Sequence, residues 1–175
     1  MGRFPPKKQA PVLTIAYPDG QVLRFVNYPI FQVVFGEYRL RFLRILADWQ
    51  VELEGTVYSR DDFNRIVGSG DLRATIAEGD RVSIDGLCSF DVSDVCCQVP
   101  ESELMKEIND LVEELNGRKT SIEACREAYW AYVDAPCEEK LRQLRRSYEA
   151  TPAHLRFQLL GFEEKDLAIQ KLLES

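Results

Sequence analysis

Apolar and polar positions along this chain change their period near the middle. Val12-Leu13-Thr14-Ile15-Ala16-Tyr17 and Gln21-Val22-Leu23-Arg24-Phe25 flank Pro18-Asp19-Gly20. Proline presets φ for a turn and glycine supplies a positive φ, so these runs are expected to pair as a hairpin. Val51-Glu52-Leu53-Glu54-Gly55-Thr56-Val57-Tyr58 alternates and reads as one half-buried strand. Ser59-x-x-Asp62 resembles a helix N-terminus, and Gly68 would close the short helix behind it. Residues 72–76 and 81–84 bracket Glu78-Gly79-Asp80 as a second hairpin.

Residues 27–50 divide less cleanly. Pro29 can open a short apolar element that ends at Gly36. From Tyr38 to Trp49, Arg41, Arg44 and Asp48 form a polar stripe at i, i+3 and i+7, and Arg44 and Asp48 are an i,i+4 pair. A strand would place Arg39 and Arg41 on one face with Leu43 and Ile45, a poorer division. The pattern therefore favours a largely buried helix.

Beyond residue 100 the period is helical. Leu104, Ile108, Leu111, Val112 and Leu115 share one face, and Gly117 follows them. Ile122, Cys125, Ala128, Tyr129, Tyr132 and Val133 define a second helix capped by Thr120 or Ser121. Cys137, Leu141, Leu144 and Tyr148 make a narrow seam suited to helix–helix contact. Thr151-Pro152 reads as a cap with proline at the first helical position, opening a helix that stops at Gly161, and a last helix runs over 163–174. The expected fold is α+β: a β-rich N-terminal unit with hairpins and a short helix, then an all-helical half of about five short helices. Residues 1–11, with Pro5, Pro6, Lys7, Lys8 and Pro11, read as a flexible tail, 12–99 as a small α+β domain and 100–175 as a helical domain.

Composition narrows the chemistry. The 175 residues are 45% hydrophobic and 29% charged, as in ordinary globular proteins, and carry a net charge of −7. That charge is local. Residues 61–117 hold 4 basic and 14 acidic side chains, net −10, whereas 1–60 hold 8 and 5, net +3. The acidic balance argues against coating nucleic acid. No apolar stretch approaches the roughly 18 residues that span a bilayer, and no signal peptide is evident. Five cysteines at 88, 96, 97, 125 and 137 make no disulfide framework, so a cytoplasmic setting with reduced thiols is expected.

Catalytic and metal signatures are weak. Cys88 and the adjacent Cys96 and Cys97 lack the C-x₂-C spacing that aims two sulfurs at one zinc ion. Cys125 and Cys137 sit on apolar faces and read as core. The single imidazole, His154, lies near a helix N-terminus, and no serine stands in a nucleophile elbow. Glu52 with Glu54, Asp61 with Asp62, and Asp91 with Asp94 are candidate carboxylate pairs, best read as solvated acids. Gly68-Ser69-Gly70 follows a helix rather than a strand and is not a phosphate loop. No cofactor is implied.

Two surface features remain. Arg39, Arg41 and Arg44, interleaved with Tyr38, Phe42 and Trp49, would suit single-stranded nucleic acid if residues 38–49 were exposed. Trp130 falls with Glu123, Glu127 and Asp134, away from the apolar stripe of its helix, and Arg142, Arg145 and Arg146 follow on the next helix as rim charges. The expectation is a non-enzymatic interaction or regulatory protein that binds a protein partner through these residues, with a homo-oligomer left open. A hydrolase-like enzyme using an acidic or cysteine-containing cleft in residues 52–97 is the alternative. Single-stranded nucleic-acid binding through residues 38–49 is the third reading.

Overall fold

The N-terminal half is built around a long hairpin. In the computed structural model, which describes residues 11–16, 20–95, 99–160 and 166–174, strands β1 (Leu13–Ala16), β2 (Val22–Val34) and β3 (Glu37–Leu46) follow one another antiparallel. The first expected hairpin is present, with Leu13 opposite Phe25 and Ala16 opposite Val22; most of its turn lies outside the described residues. β4 (Val51–Leu53) and β5 (Thr56–Tyr58) continue the meander past the C-terminal half of β3. Helix α1 (Arg60–Ser69) then leads to β6 (Leu72–Arg73), which pairs with β2, and to β7 (Arg81–Ile84), which runs parallel to the start of β3. A short β8 (Cys88–Asp91) folds back on β7.

Four local expectations are corrected here. Residues 38–49 are not a buried helix: 38–46 belong to β3, followed by a turn. The poor division of that strand has a physical cause, because its two halves have different neighbours. Arg39 lies beside β7 and Arg44 beside β4, while Leu43, Ile45 and Leu46 are buried. Residues 51–58 are two three-residue strands around a turn at Glu54 (φ 51°) and Gly55 (φ 82°), not one strand. Pro29 lies inside β2 rather than opening an element. It occupies the gap between the β1 pairing, which ends at Phe25, and the β6 pairing, which begins at Phe31, so its missing N–H breaks neither outer ladder. Finally, β6 and β7 do not pair, since they join opposite edges of the β2–β3 hairpin; the second hairpin is β7–β8.

Packing in this half follows from the pleat. Val26, Ile30, Leu43, Ile45, Val51, Leu53 and Leu72 fall on one face of the sheet and are all buried. Helix α1 packs beside β5 and β6 and buries Phe63 and Val67. Each such side chain contributes about 1.5–3 kcal/mol by leaving water. Ser59 caps α1 through its hydroxyl, and Gly70, at φ 83°, closes it; Gly68 lies within the helix.

By compactness the chain separates into Met1–Gln98 and Val99–Ser175. The second unit holds α2 (Glu101–Leu115), α3 (Ser121–Asp134), α4 (Glu138–Ala150), a 3₁₀ helix (Ala153–Gln158) and α5 (Leu167–Glu174). Its core gathers Cys125 and Ala128 of α3, Leu144 and Tyr148 of α4, Leu159, and Ile169 of α5. The molecule is thus α+β, as its periodicity implies. Thr151 does not cap the fourth helical segment. Its hydroxyl donates to the Ser147 and Ser121 carbonyls, and Pro152 precedes a 3₁₀ helix rather than an α-helix. Gly161 and the expected start of the last helix at residue 163 lie outside the described residues.

Candidate functional site

Helix α3 owes its start to a reciprocal cap. The Thr120 hydroxyl accepts from the Glu123 amide, and the Glu123 carboxylate accepts from the Thr120 amide at 3.0 Å. With the helix so set, Cys125 and Ala128 turn inward and Trp130 turns outward, 56% exposed. Val133, which the periodicity assigned to the buried face, is also exposed at 45%. The two stand at i and i+3 and are neighbours on the helix surface. Tyr129 braces the indole edge-on, with ring centroids 5.0 Å apart. Below them on the same helix, Glu127 pairs with Lys119 at 2.7 Å. Cys137, expected in the core, is an exposed residue at the start of α4.

The three rim arginines have different situations. Arg142 is held by Glu139 at 2.6 Å and Glu138 at 3.3 Å. Arg145 donates to the Leu173 carbonyl at 2.9 Å, satisfying an orphan acceptor in the last turn of α5. Arg146 is exposed, and its guanidinium makes no hydrogen bond or ion pair with any described residue. Only Arg146 is therefore uncommitted.

A polar stripe on α2, missed by sequence reasoning, holds this unit together. Glu103, Glu107 and Asp110 recur at i, i+4 and i+7 beside the apolar stripe, which is the signal that would have found them. Glu103 accepts from the Ala153 amide at 2.9 Å and from Lys106 at 3.1 Å. Burial alone would raise its pKa, yet these two donors together hold it below the usual value. Asp110 accepts from the amide and hydroxyl of Ser121 at 2.7 and 2.5 Å. Its burial prevails over those bonds, and the nearby Glu107 and Glu113 add to it, so its pKa is raised. Buried Glu107 lies 3.4 Å from Nε2 of His154. Neither imidazole nitrogen hydrogen-bonds a hydroxyl or thiol among the described residues, so no nucleophile–base pair is formed there.

The carboxylates and arginines of the N-terminal unit largely consume one another. Arg44 pairs with Glu52 at 2.6 Å and lies over the Phe25 ring, while Arg41 pairs with Glu54 at 3.0 Å and with Asp85. Asp62 pairs with Arg65, and Asp91 with Arg81. Of the aromatics between the arginines, Phe42 is 61% exposed and Tyr38 meets Phe31 edge-on. Trp49 lies under the Arg60 guanidinium. Among the described residues no three His, Cys, Asp or Glu side chains are grouped to hold a metal ion. Cys88 is exposed; Cys96 and Cys97 lie outside the described residues. No helix among the described residues is long and apolar enough to cross a membrane.

These features define a two-unit α+β protein with an apolar patch on its helical unit. The chain belongs to the family described as a domain of unknown function (DUF7638), whose model matches residues 14–119. A second domain of unknown function (DUF7639) matches residues 120–175. No curated protein and no solved structure matches the chain. The junction of the two family matches falls at the Thr120 cap of α3, whereas the compact units divide before α2.

Proposed function

We propose that the protein is a non-enzymatic interaction or regulatory module whose helical unit captures a protein partner, in a cytoplasmic setting where its thiols stay reduced. The observation that carries this reading is the outward pair Trp130 and Val133, with the indole braced by Tyr129. A large aromatic held rigid and half in water costs little order on binding and is a residue type enriched at interface hot spots. Arg146 supplies one uncommitted rim charge nearby in the sequence. The partner is a different protein or a second copy of this chain, and both are accessible to one experiment.

Wild type and Trp130→Ala are used side by side as bait, against a native lysate and against the purified chain. Loss of Trp130 is expected to weaken capture roughly tenfold or more, as hot-spot truncations do. Thermal stability should change by less than about 0.5 kcal/mol, because the side chain is largely in solvent. Equal capture by both baits, or a collapse of stability in the variant, would overturn the placement.

A further inference from the structure

On the β7–β8 side of the sheet, register sorts charged side chains into three rows on one face. Arg39 of β3 lies opposite Ser83 of β7, which lies opposite Ser89 of β8. Towards the starts of β3 and β7 the next row holds Glu37, Arg81 and, across the antiparallel pair with β8, Asp91; in the other direction stand Arg41 on β3 and Asp85, just past the end of β7. The outer rows are internally compensated, since Arg81 pairs with Asp91 at 3.4 Å and Arg41 with Asp85 and Glu54. The middle row has a cation and no acid. Half-buried Arg39 lies within electrostatic reach of Asp85, but its guanidinium makes no hydrogen bond or ion pair with any described residue. The Ser83 and Ser89 hydroxyl oxygens are 2.9 Å apart, so one donates to the other and the second keeps its proton for an incoming acceptor. An open cleft of about 400 Å³ lies over this row, lined by Arg39, both serines, Glu37, Asp85 and the β7–β8 turn.

We propose that this row binds a small carboxylate. The guanidinium offers two parallel N–H donors matched to a planar oxyanion, and the free serine O–H adds a third donor. Arg41 neutralises Asp85, but Glu37 stays at the rim, so a singly charged anion is preferred over a dianion.

The test follows backbone amides of the full chain by NMR while acetate, inorganic phosphate or chloride is added at constant ionic strength. Acetate should saturably move the amides of Arg39, Ser83, Gly86 and Ser89, with a dissociation constant in the millimolar range. Arg39→Gln should weaken binding roughly tenfold or more, and Arg39→Lys should fall between the two. Glu37→Gln should tighten it about twofold, an outcome that damage to the fold would not produce. Shifts shared with chloride, unchanged affinity in Arg39→Gln, or weaker binding in Glu37→Gln would overturn the site. Tighter binding of phosphate than of acetate would overturn the carboxylate assignment.

Discussion

Phe35 stands at the tip of the β2–β3 hairpin with φ 52°, ahead of Gly36 at φ 83°, and its ring is fully exposed. A bulky L-residue in the left-handed region costs about 1–2 kcal/mol, and no burial offsets it here. Two-residue hairpin loops of this shape favour Asn-Gly. Phe35→Asn is therefore expected to stabilise the protein by about 1 kcal/mol, measured as a higher midpoint in urea. An unchanged or lower midpoint would contradict that account. Glu54 has a similar backbone (φ 51°) but also pairs with Arg41, so the same exchange there should gain less. Trp130 is the opposite case: no backbone strain singles it out, and its exposure follows from its angular position on α3. That position was legible in the sequence. The exposure of Val133 was not, because the core of the helical unit draws on Ile122, Cys125, Ala128 and Tyr129 of α3 but on nothing in its last turn, and periodicity does not report how far along a helix its covering neighbours reach.

At the level of elements, α2 joins its unit through carboxylates. Glu103 and Asp110 receive the first amides of the 3₁₀ helix and of α3, groups left without partners inside their own helices. Asp110 makes a definite pH prediction. Its folded pKa is raised, so the folded state binds the proton more tightly than the unfolded chain. The resulting stabilisation is full below the ordinary aspartate range and is lost as pH rises through the raised value. Stability of the native protein relative to Asp110→Asn should therefore increase as pH is lowered through that window. Urea midpoints of both proteins across the range test this, and a difference that shrinks on acidification would refute it. Strand β3 carries the corresponding lesson about patterning. Its arginines and leucines share a face because that face changes surroundings along the strand, with β4 beside one end and β7, from more than forty residues on, beside the other.

Charge is best considered for the whole molecule. The sequence places all the net acidity in residues 61–117, and the division at Gln98 and Val99 splits that segment between the two units. The N-terminal unit holds 11 basic and 13 acidic side chains, net −2, and the helical unit 11 and 16, net −5. Neither is a cationic body, and Arg41 and Arg44 are already held by carboxylates. A labelled single-stranded oligonucleotide is thus expected to show no saturable change in anisotropy at physiological salt. Tight binding that falls steeply with salt would restore the nucleic-acid reading of residues 38–49.

Local signals were sufficient for the α+β division, the first hairpin, the Ser59 cap, a cap at Thr120 or Ser121 that the structure assigns to Thr120, and the outward face of Trp130. Each depends on residues a few positions apart: turn chemistry, capping hydroxyls and a 3.6-residue period. Tertiary structure decided which strands pair, why residues 38–46 extend rather than coil, and which arginines keep their charge available. Those outcomes depend on partners far away in the chain. β7 reaches β3 from more than forty residues on, and Asp85 reaches Arg41 across 44 positions. Periodicity reports which side of an element is apolar; the neighbours that cover it, or neutralise it, are chosen only when the chain folds.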